Sequence, residues 1–308
     1  MLNIAVTGAT GFIGRALLRQ LLSAGHNVRA LARNPAALAE FDSPQLTVIK
    51  GDLANQAALE SLINNATHVV HLAGQVKGRS KHVFDKVNVD GTRALLNALG
   101  TRAIPLIVTS SLAAREPGLS WYASSKAHAE DLIRETVNRR PTCIIRPPAV
   151  YGPGDTEMLP VFRFMCMTGI APVPGSAESR LSLIFVDDLV AALVRFINRE
   201  SSITGIYTLH DGRVGGYNWF DLCEIVGSVC GKRIRPRKVP AALLNTAAQL
   251  NLGSAWLTRR APMLTPSKLR ELRHRDWVCN NDGISEAIQW APKIRLAEGL
   301  LRTSGWRD

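Results

Sequence analysis

The spacing Gly8-x-x-Gly11-x-x-Gly14 constrains this chain more than any other stretch, because it lies between a short apolar strand, residues 2–6, and a helix, residues 15–22. A glycine turn that ends a strand and opens a helix brings backbone N–H groups and the positive end of the helix dipole to one point, where a diphosphate can sit. Gly8 provides the positive φ of the turn, Gly11 lets the backbone approach the anion, and Gly14 lets the helix pack closely. Thr10, Phe12 and Ile13 belong to the same turn and are assigned to the cofactor with it. A loop that merely turns does not require a strand before it and an amphipathic helix after it; a dinucleotide site does.

A chain of 308 residues, 46% of them hydrophobic, can bury a full core and has room for a nucleotide-binding domain plus a smaller lobe. Its five cysteines (Cys143, Cys166, Cys223, Cys230, Cys279) are scattered and contain no C-x-x-C pair. That pattern predicts neither a disulfide framework nor a zinc site, and it suits a reducing, cytoplasmic setting. No charged-then-apolar leader precedes the first strand, and no stretch reaches the ~18 apolar residues that would span a bilayer. The net charge of +12 is concentrated in residues 231–238 and 258–260, which read as solvated basic loops. No zinc finger, RNA-binding signature or basic recognition helix accompanies them, so nucleic acid is not an expected partner.

The second strand, residues 27–33, ends in Ala32-Arg33 rather than in the carboxylate that would hold the 2′-hydroxyl of NAD. Arg33 suits a 2′-phosphate, which makes NADP the expected cofactor and NAD the alternative. A third strand, residues 46–50, leads to Gly51-Asp52-Leu53 and a helix over 56–63 that Asp52 is placed to cap. The fourth strand, residues 67–74, ends in Leu72-Ala73-Gly74, small enough for a cofactor backbone to approach. His68 and His71 lie in this apolar strand and read as core or edge residues, not as ligands. A helix is expected over 83–99, with Asn88 in a structural role, and a fifth strand over 104–109 ends at Thr109 and passes into Ser110-Ser111.

Trp121-Tyr122-Ala123-Ser124-Ser125-Lys126 opens a helix expected to run to residue 138. Tyr122 and Lys126, at i and i+4, share one face with Cβ atoms about 6 Å apart. A phenol with an ordinary pKa of about 10 is a poor base at neutral pH, and an adjacent ammonium is expected to lower that value. Tyr122 is then able to exchange a proton with a substrate oxygen while a hydride moves, with Ser111 holding that oxygen and Lys126 also reaching the nicotinamide ribose. Ser110 is the rival for the serine role.

These motifs, with Thr7 ahead of the glycine turn, resemble the extended branch of the short-chain dehydrogenase/reductase superfamily, the NAD-dependent epimerase/dehydratase family. The resemblance implies a Ser111, Tyr122, Lys126 triad and places Asp52 and Leu53 beside the adenine. Residues 146–154 resemble the R-P-x-x-[VI]-Y-G-P-G segment, which implies that Pro147 to Val150 border the nicotinamide. Within it, Tyr151 reads as a packing residue. Val186-Asp187-Asp188 resembles a V-x-D segment whose carboxylates cap the following helix, and Arg180 falls where nucleotide-sugar enzymes hold a phosphate, unless it is a rim residue. The resemblance also implies a dimer through helices of the cofactor domain.

After residue 212 helices dominate, over 217–229, 240–250, 266–272, 283–289 and 296–303. Residues 241–257 form an apolar lid or core helix, with docking on a membrane or partner as the alternative. The C-terminal segments around 264–270, 276–278 and 289–292 resemble dihydroflavonol reductases and 3β-hydroxysteroid dehydrogenases. The expected fold is a Rossmann-type doubly wound α/β sheet from residues 1–170 and 183–210, with a smaller, mostly helical substrate lobe from 171–182 and 211–308. The expected activity is NAD(P)-dependent hydride transfer at a secondary alcohol or ketone of a small molecule, without a metal. A nucleotide-sugar epimerase or dehydratase is the alternative, although Leu112-Ala113-Ala114 replaces the V-Y-G of those enzymes; a non-catalytic cofactor sensor is the third reading.

Overall fold

The structure is a computed structural model and describes residues 1–199, 203–258 and 264–307. Its first strand, β1 (Asn3–Thr7), is two-faced because successive side chains alternate: Ile4 and Val6 enter one core and Ala5 the other. The chain continues through α1 (Phe12–Ser23), β2 (Asn27–Ala32), β3 (Leu46–Lys50), α2 (Gln56–Ile63), β4 (His68–His71), α3 (Lys81–Asp85), α4 (Gly91–Leu99), β5 (Leu106–Thr109), α5 (Trp121–Arg134), β6 (Thr142–Arg146) and β7 (Ala149–Tyr151). Then come α6 (Leu159–Thr168), β8 (Ile170–Val173), β9 (Arg180–Leu181), β10 (Leu183–Phe185), α7 (Val186–Ile197) and β11 (Gly205–Thr208). The last elements are α8 (Trp219–Cys230), β12 (Arg235–Lys238), α9 (Ala241–Thr258), α10 (Pro266–Leu272), β13 (Asp276–Trp277), α11 (Asp282–Ile288) and α12 (Leu296–Arg302).

Seven strands pair in parallel in the order β11-β6-β5-β4-β1-β2-β3. Parallel strands need crossovers, so both sheet faces are covered: α1 and α7 on one, α2, α4 and Ile133 of α5 on the other. This is the doubly wound α/β architecture expected from the repeated strand–helix pattern. The strand order reverses between β1 and β4, which opens a crevice at their carboxyl ends. A separate core joins α6, α8 and α12, where the Tyr151 ring lies 5.4 Å from that of Phe185 and 6.4 Å from that of Phe162.

Several local expectations give way to tertiary contacts. The helix expected over 83–99 is interrupted by a π-helical turn, Lys86–Asp90, between α3 and α4, and α5 stops at Arg134 instead of residue 138. Asn55, not Asp52, caps α2 by accepting from the Ala58 N–H at 3.0 Å; Asp52 closes a turn by accepting from the Ala54 N–H at 2.9 Å. Neither Asp187 nor Asp188 caps α7, whose N-cap is Phe185. The basic residues 235–238 form a strand paired with β8, and the helix expected over 240–250 runs on to Thr258. Cys166 and Cys230 form a disulfide across 64 residues, contrary to the reading of the cysteine spacing, because α6 packs on α8 and brings the two Cα atoms to 5.8 Å. That bond also removes the cysteine argument for a reducing setting. No helix among the described residues is long and apolar enough to cross a membrane.

The Asp188 carboxylate is buried and accepts the N–H groups of Lys293 and Ile294 at 3.0 and 2.8 Å, which ties the C-terminal segment to the start of α7. Asp188→Ala leaves both donors without that acceptor, and the expected loss is about 2–3 kcal/mol of unfolding free energy in a denaturant titration. A loss below about 0.5 kcal/mol would remove this residue from that role.

Candidate active site

The turn after β1 is held by the Gly11 N–H donating to the Gly8 carbonyl at 3.0 Å. Gly8 has φ +74°, and a Cβ there would lie 2.5 Å from the Ala73 nitrogen at the end of β4. At Gly14 a Cβ would fall 2.1 Å from the Gly8 carbonyl oxygen, so only glycine lets α1 start this close to the turn. Thr10 and Gly11 are exposed, Phe12 and Ile13 are half-buried, and α1 has no side-chain cap, so its first N–H groups face the crevice edge unsatisfied. Arg33 is exposed just past β2 and makes no hydrogen bond or ion pair among the described residues, whereas Arg15 is engaged by Glu40 and, at 2.7 Å, by the Ala37 carbonyl. Leu72, Ala73 and Gly74 border the same crevice, and Gly74 approaches the Lys126 ammonium so closely that a Cβ there would be 3.2 Å from it. Gly154, in the turn after Pro147 and Val150, faces Phe12, where a Cβ would lie 3.7 Å from the ring.

Ser120 caps α5 by accepting the Ala123 N–H at 2.9 Å, and one turn in, Tyr122 and Lys126 lie along the helix toward β5. The Lys126 ammonium is buried and donates to the Thr109 carbonyl at 3.0 Å; burial lowers its pKa to about 8, against the opposing pull of Glu130. Burial, with Glu271 and Glu157 adding to it, pushes the Tyr122 phenol's pKa up to about 12, against an opposing pull from the Ser111 side chain. The expectation that Lys126 would lower it does not hold here, because desolvation outweighs everything else around the ring and the ammonium is directed at Thr109. Ser111 is half-buried and caps a short 3₁₀ turn through the Ala113 N–H at 3.2 Å.

The two serines separate cleanly. The Ser110 hydroxyl is buried and donates to Glu130 at 2.6 Å, and of the two serines it is Ser111 whose side chain acts on the phenol's titration. Glu130, which the motif reading missed, also accepts from Arg146 at 2.9 and 2.5 Å and from Arg134 at 3.1 Å. The available signal was periodicity: Tyr122, Lys126 and Glu130 recur every four residues. Asn88, in the π-helical turn, clamps the loop after β4, accepting from the Gln75 N–H at 2.7 Å and donating to its carbonyl at 3.1 Å and to Ser125 at 2.8 Å. His71 bridges Thr7 at 2.7 Å and Thr92 at 3.1 Å and is kept neutral by burial, its pKa pushed down to about 3. Arg180 is exposed, donates to the Gly215 carbonyl at 2.8 Å and does not line the cavity over Tyr122.

Helix α10 roofs this constellation. Glu271 accepts from Ser120 at 2.7 Å, Ser267 accepts the Trp121 N–H at 2.9 Å, and the Lys268 ammonium lies 6.0 Å from the Tyr122 ring centre. Lys77 and Glu157, paired at 2.6 Å, close another side and leave a cavity of about 20 Å³ over Tyr122, space for about one water. A larger opening of about 670 Å³, lined by Arg115, Arg146, His210 and Asp282, lies at the carboxyl ends of β6 and β11, and neither Tyr122 nor Lys126 lines it. No cluster of three metal-ligating side chains exists among the described residues.

The residues fit a dinucleotide on their own evidence. The helix start is uncapped, the buried Thr109 hydroxyl has no partner, and Lys126 shows one hydrogen bond for three donors. A parallel sheet with this turn at its switch point and a tyrosine and lysine beside it defines an NAD(P)-dependent oxidoreductase class. Residues 4–209 match the NAD dependent epimerase/dehydratase family, and the chain belongs to that family. It is 36% identical over 303 residues to the ceramide reductase of Caulobacter vibrioides (strain NA1000 / CB15N), covering 98% of this chain and 93% of that one. It is 27% identical to the human 3 beta-hydroxysteroid dehydrogenase type 7, covering 98% and 94% of the two chains. Among solved structures, MoeE5 in complex with UDP-glucuronic acid and NAD aligns with a TM-score of 0.76 at 21% identity, covering 99% of this chain and 98% of that one, a likeness of fold.

Ser110→Ala should lower stability by about 2 kcal/mol, because it strips a hydrogen bond from a buried carboxylate. Ser111→Ala should leave stability nearly unchanged and lower kcat by about 10²-fold, the effect of losing one donor to a reacting oxygen. Thermal unfolding and steady-state turnover on the two variants check the assignment, and equal losses of kcat would reverse it.

Proposed function

We propose that this enzyme reduces a ketone on a long-chain lipid to the secondary alcohol, using NADPH. The observation that carries the direction of the reaction is the likeness to a ceramide reductase over almost the whole chain, and the Tyr122 phenol, with burial pushing its pKa up to about 12, is in the protonated form that a reduction needs. Reduction needs a proton donor at the carbonyl oxygen, and Tyr122 is charged with that proton at neutral pH. A nicotinamide cofactor held at the Gly8–Gly14 turn and by Lys126 would supply the hydride that the carbonyl carbon takes up. Ser111 holds the oxygen, Tyr122 protonates it as the negative charge develops, and the Lys126 ammonium, anchored on the Thr109 carbonyl, has two donors left to position the ribose. The lipid class is supported by the likeness to a ceramide reductase over almost the whole chain. The engagement of Arg180 by the 215–216 carbonyls weighs against a nucleotide-sugar diphosphate. A cytoplasmic site of action, where reduced cofactor is available, goes with this reading.

NADPH is favoured by Arg33, the exposed cation just past the end of β2; Asp52 and Leu53 would then border the adenine, as the family resemblance implies. Arg33→Ala should raise the KM for NADPH by about 10–100-fold, the value of a charge-assisted contact, and leave that for NADH unchanged. An unaltered KM ratio would return the preference to NAD.

Tyr122→Phe should lower kcat by about 10²–10⁴-fold in NADPH oxidation with long-chain ketolipids, with cofactor binding retained. In the wild-type enzyme both the phenol and the Lys126 ammonium must carry their protons, so kcat/KM should fall as pH rises through about 8, the lower of the two values. Glu130 raises the Lys126 pKa, so Glu130→Gln should move that limb to lower pH. Interconversion of UDP-sugars without net loss of NADPH would replace this reading with the epimerase.

A further inference from the structure

We propose that the surface running from α6 through the β8–β12 ribbon onto α9 is a docking face for an anionic phospholipid bilayer. This goes beyond the catalytic reading and uses none of its residues.

The charge is segregated along the chain. Between residues 225 and 270 there is no Asp or Glu but there are nine Lys and Arg, which account for most of the net +12. On the described part of this stretch Lys232, Arg233, Arg235, Arg237 and Lys238 are all exposed, and none makes an ion pair among the described residues. Five cations on one short ribbon, without local counter-charges, attract a negative surface.

The same region leaves apolar side chains in water. Ile170 is 39% exposed and is paired in register with Arg235; Met167 and Phe164, one turn apart on α6, are 63% and 45% exposed. Helix α9 follows the ribbon directly, and of residues 241–254 only Ala248 is buried. Leu243 and Leu250, 60% and 69% exposed, are seven residues apart and therefore on one face, with Ala247 between them. A surface helix of a globular protein normally turns such a stripe to the core. This one does not, and no helix among the described residues is long and apolar enough to cross a membrane. Apolar anchors set among unpaired cations are complementary to an anionic bilayer, where the cations meet headgroups and the anchors enter the acyl boundary. A nucleic acid would use the cations and leave the leucines in water.

The face also adjoins the site in the chain. Beyond α9, residues 259–263 lie outside the described part, and the next element is α10, the roof over Tyr122. On the lipid-reductase reading, a membrane-docked α9 brings the roof to the surface from which such a substrate comes.

The test uses the full chain and measures vesicle binding, not turnover, so its failure is distinct from failure of the proposed reaction. Sedimentation with vesicles of phosphatidylglycerol and phosphatidylcholine should pellet the protein, added salt should release it, and vesicles of phosphatidylcholine alone should not bind. Arg235→Glu with Arg237→Glu, and separately Leu243→Ser with Leu250→Ser, should each weaken binding about tenfold. Leu243→Trp should shift its emission to the blue on the anionic vesicles and be quenched by brominated lipid, which decides the matter even where the double variants fold poorly. Absence of binding to the anionic vesicles overturns the proposal. So does a Leu243→Trp reporter that stays unquenched while the protein binds single-stranded RNA as tightly as vesicles, which would make the ribbon a nucleic-acid site.

Discussion

The buried Glu130 carboxylate is the interaction on which the site depends. It takes the Ser110 hydroxyl from the exit of β5, the Arg146 guanidinium from the end of β6 and Arg134 from its own helix, so two strand ends and α5 are fixed to one another. A buried carboxylate is tolerable only with such partners, and removing one leaves the others uncompensated. The register it imposes puts Ser111, the next residue, against the phenol, and puts Lys126 under the Thr109 carbonyl. The geometry of the proposed chemistry is therefore set by a residue that touches none of the reacting atoms.

Electrostatics then separate the two groups of the Tyr-x-x-x-Lys pair. Burial disfavours charge on both, raising the phenol to about 12 and lowering the ammonium to about 8. Each shift moves toward the neutral form, so the ammonium is the group nearer to losing its proton and the phenol is the firm proton reservoir. The phenol therefore starts the cycle protonated, as a weaker acid than an unburied tyrosine.

Much of this was legible in the primary structure, and the exceptions share a cause. The glycine turn, the strand–helix rhythm through the first five strands and the i, i+4 pair are local patterns governed by backbone conformation and helical spacing, and each falls where its residues predict, whereas the edge strand β11 was not read from the sequence. Asp188 was misassigned because its partners, Lys293 and Ile294, lie over a hundred residues away, and the docking of Ser120 on Glu271 spans 151 residues. The Cys166–Cys230 bond is hidden for the same reason. Periodicity does not report which distant backbone will arrive at a side chain. Nor does it report desolvation: the spacing placed Lys126 beside Tyr122, but the sign of the phenol's shift depends on α10 closing over it.

That closure carries a mechanical consequence. A cavity of about 20 Å³ admits one water and no lipid carbonyl, so substrate entry requires α10 or the Lys77–Glu157 pair to give way. Both borders contribute carboxylates that raise the phenol's pKa, Glu271 from the roof and Glu157 from the side. Moving either one out to make room takes a negative charge away from the ring and lets its pKa fall. The opening that admits a ketone would thus also make Tyr122 a stronger acid, and where α10 is the side that gives way, the bonds from Ser120 to Glu271 and from Trp121 to Ser267 are the ones broken.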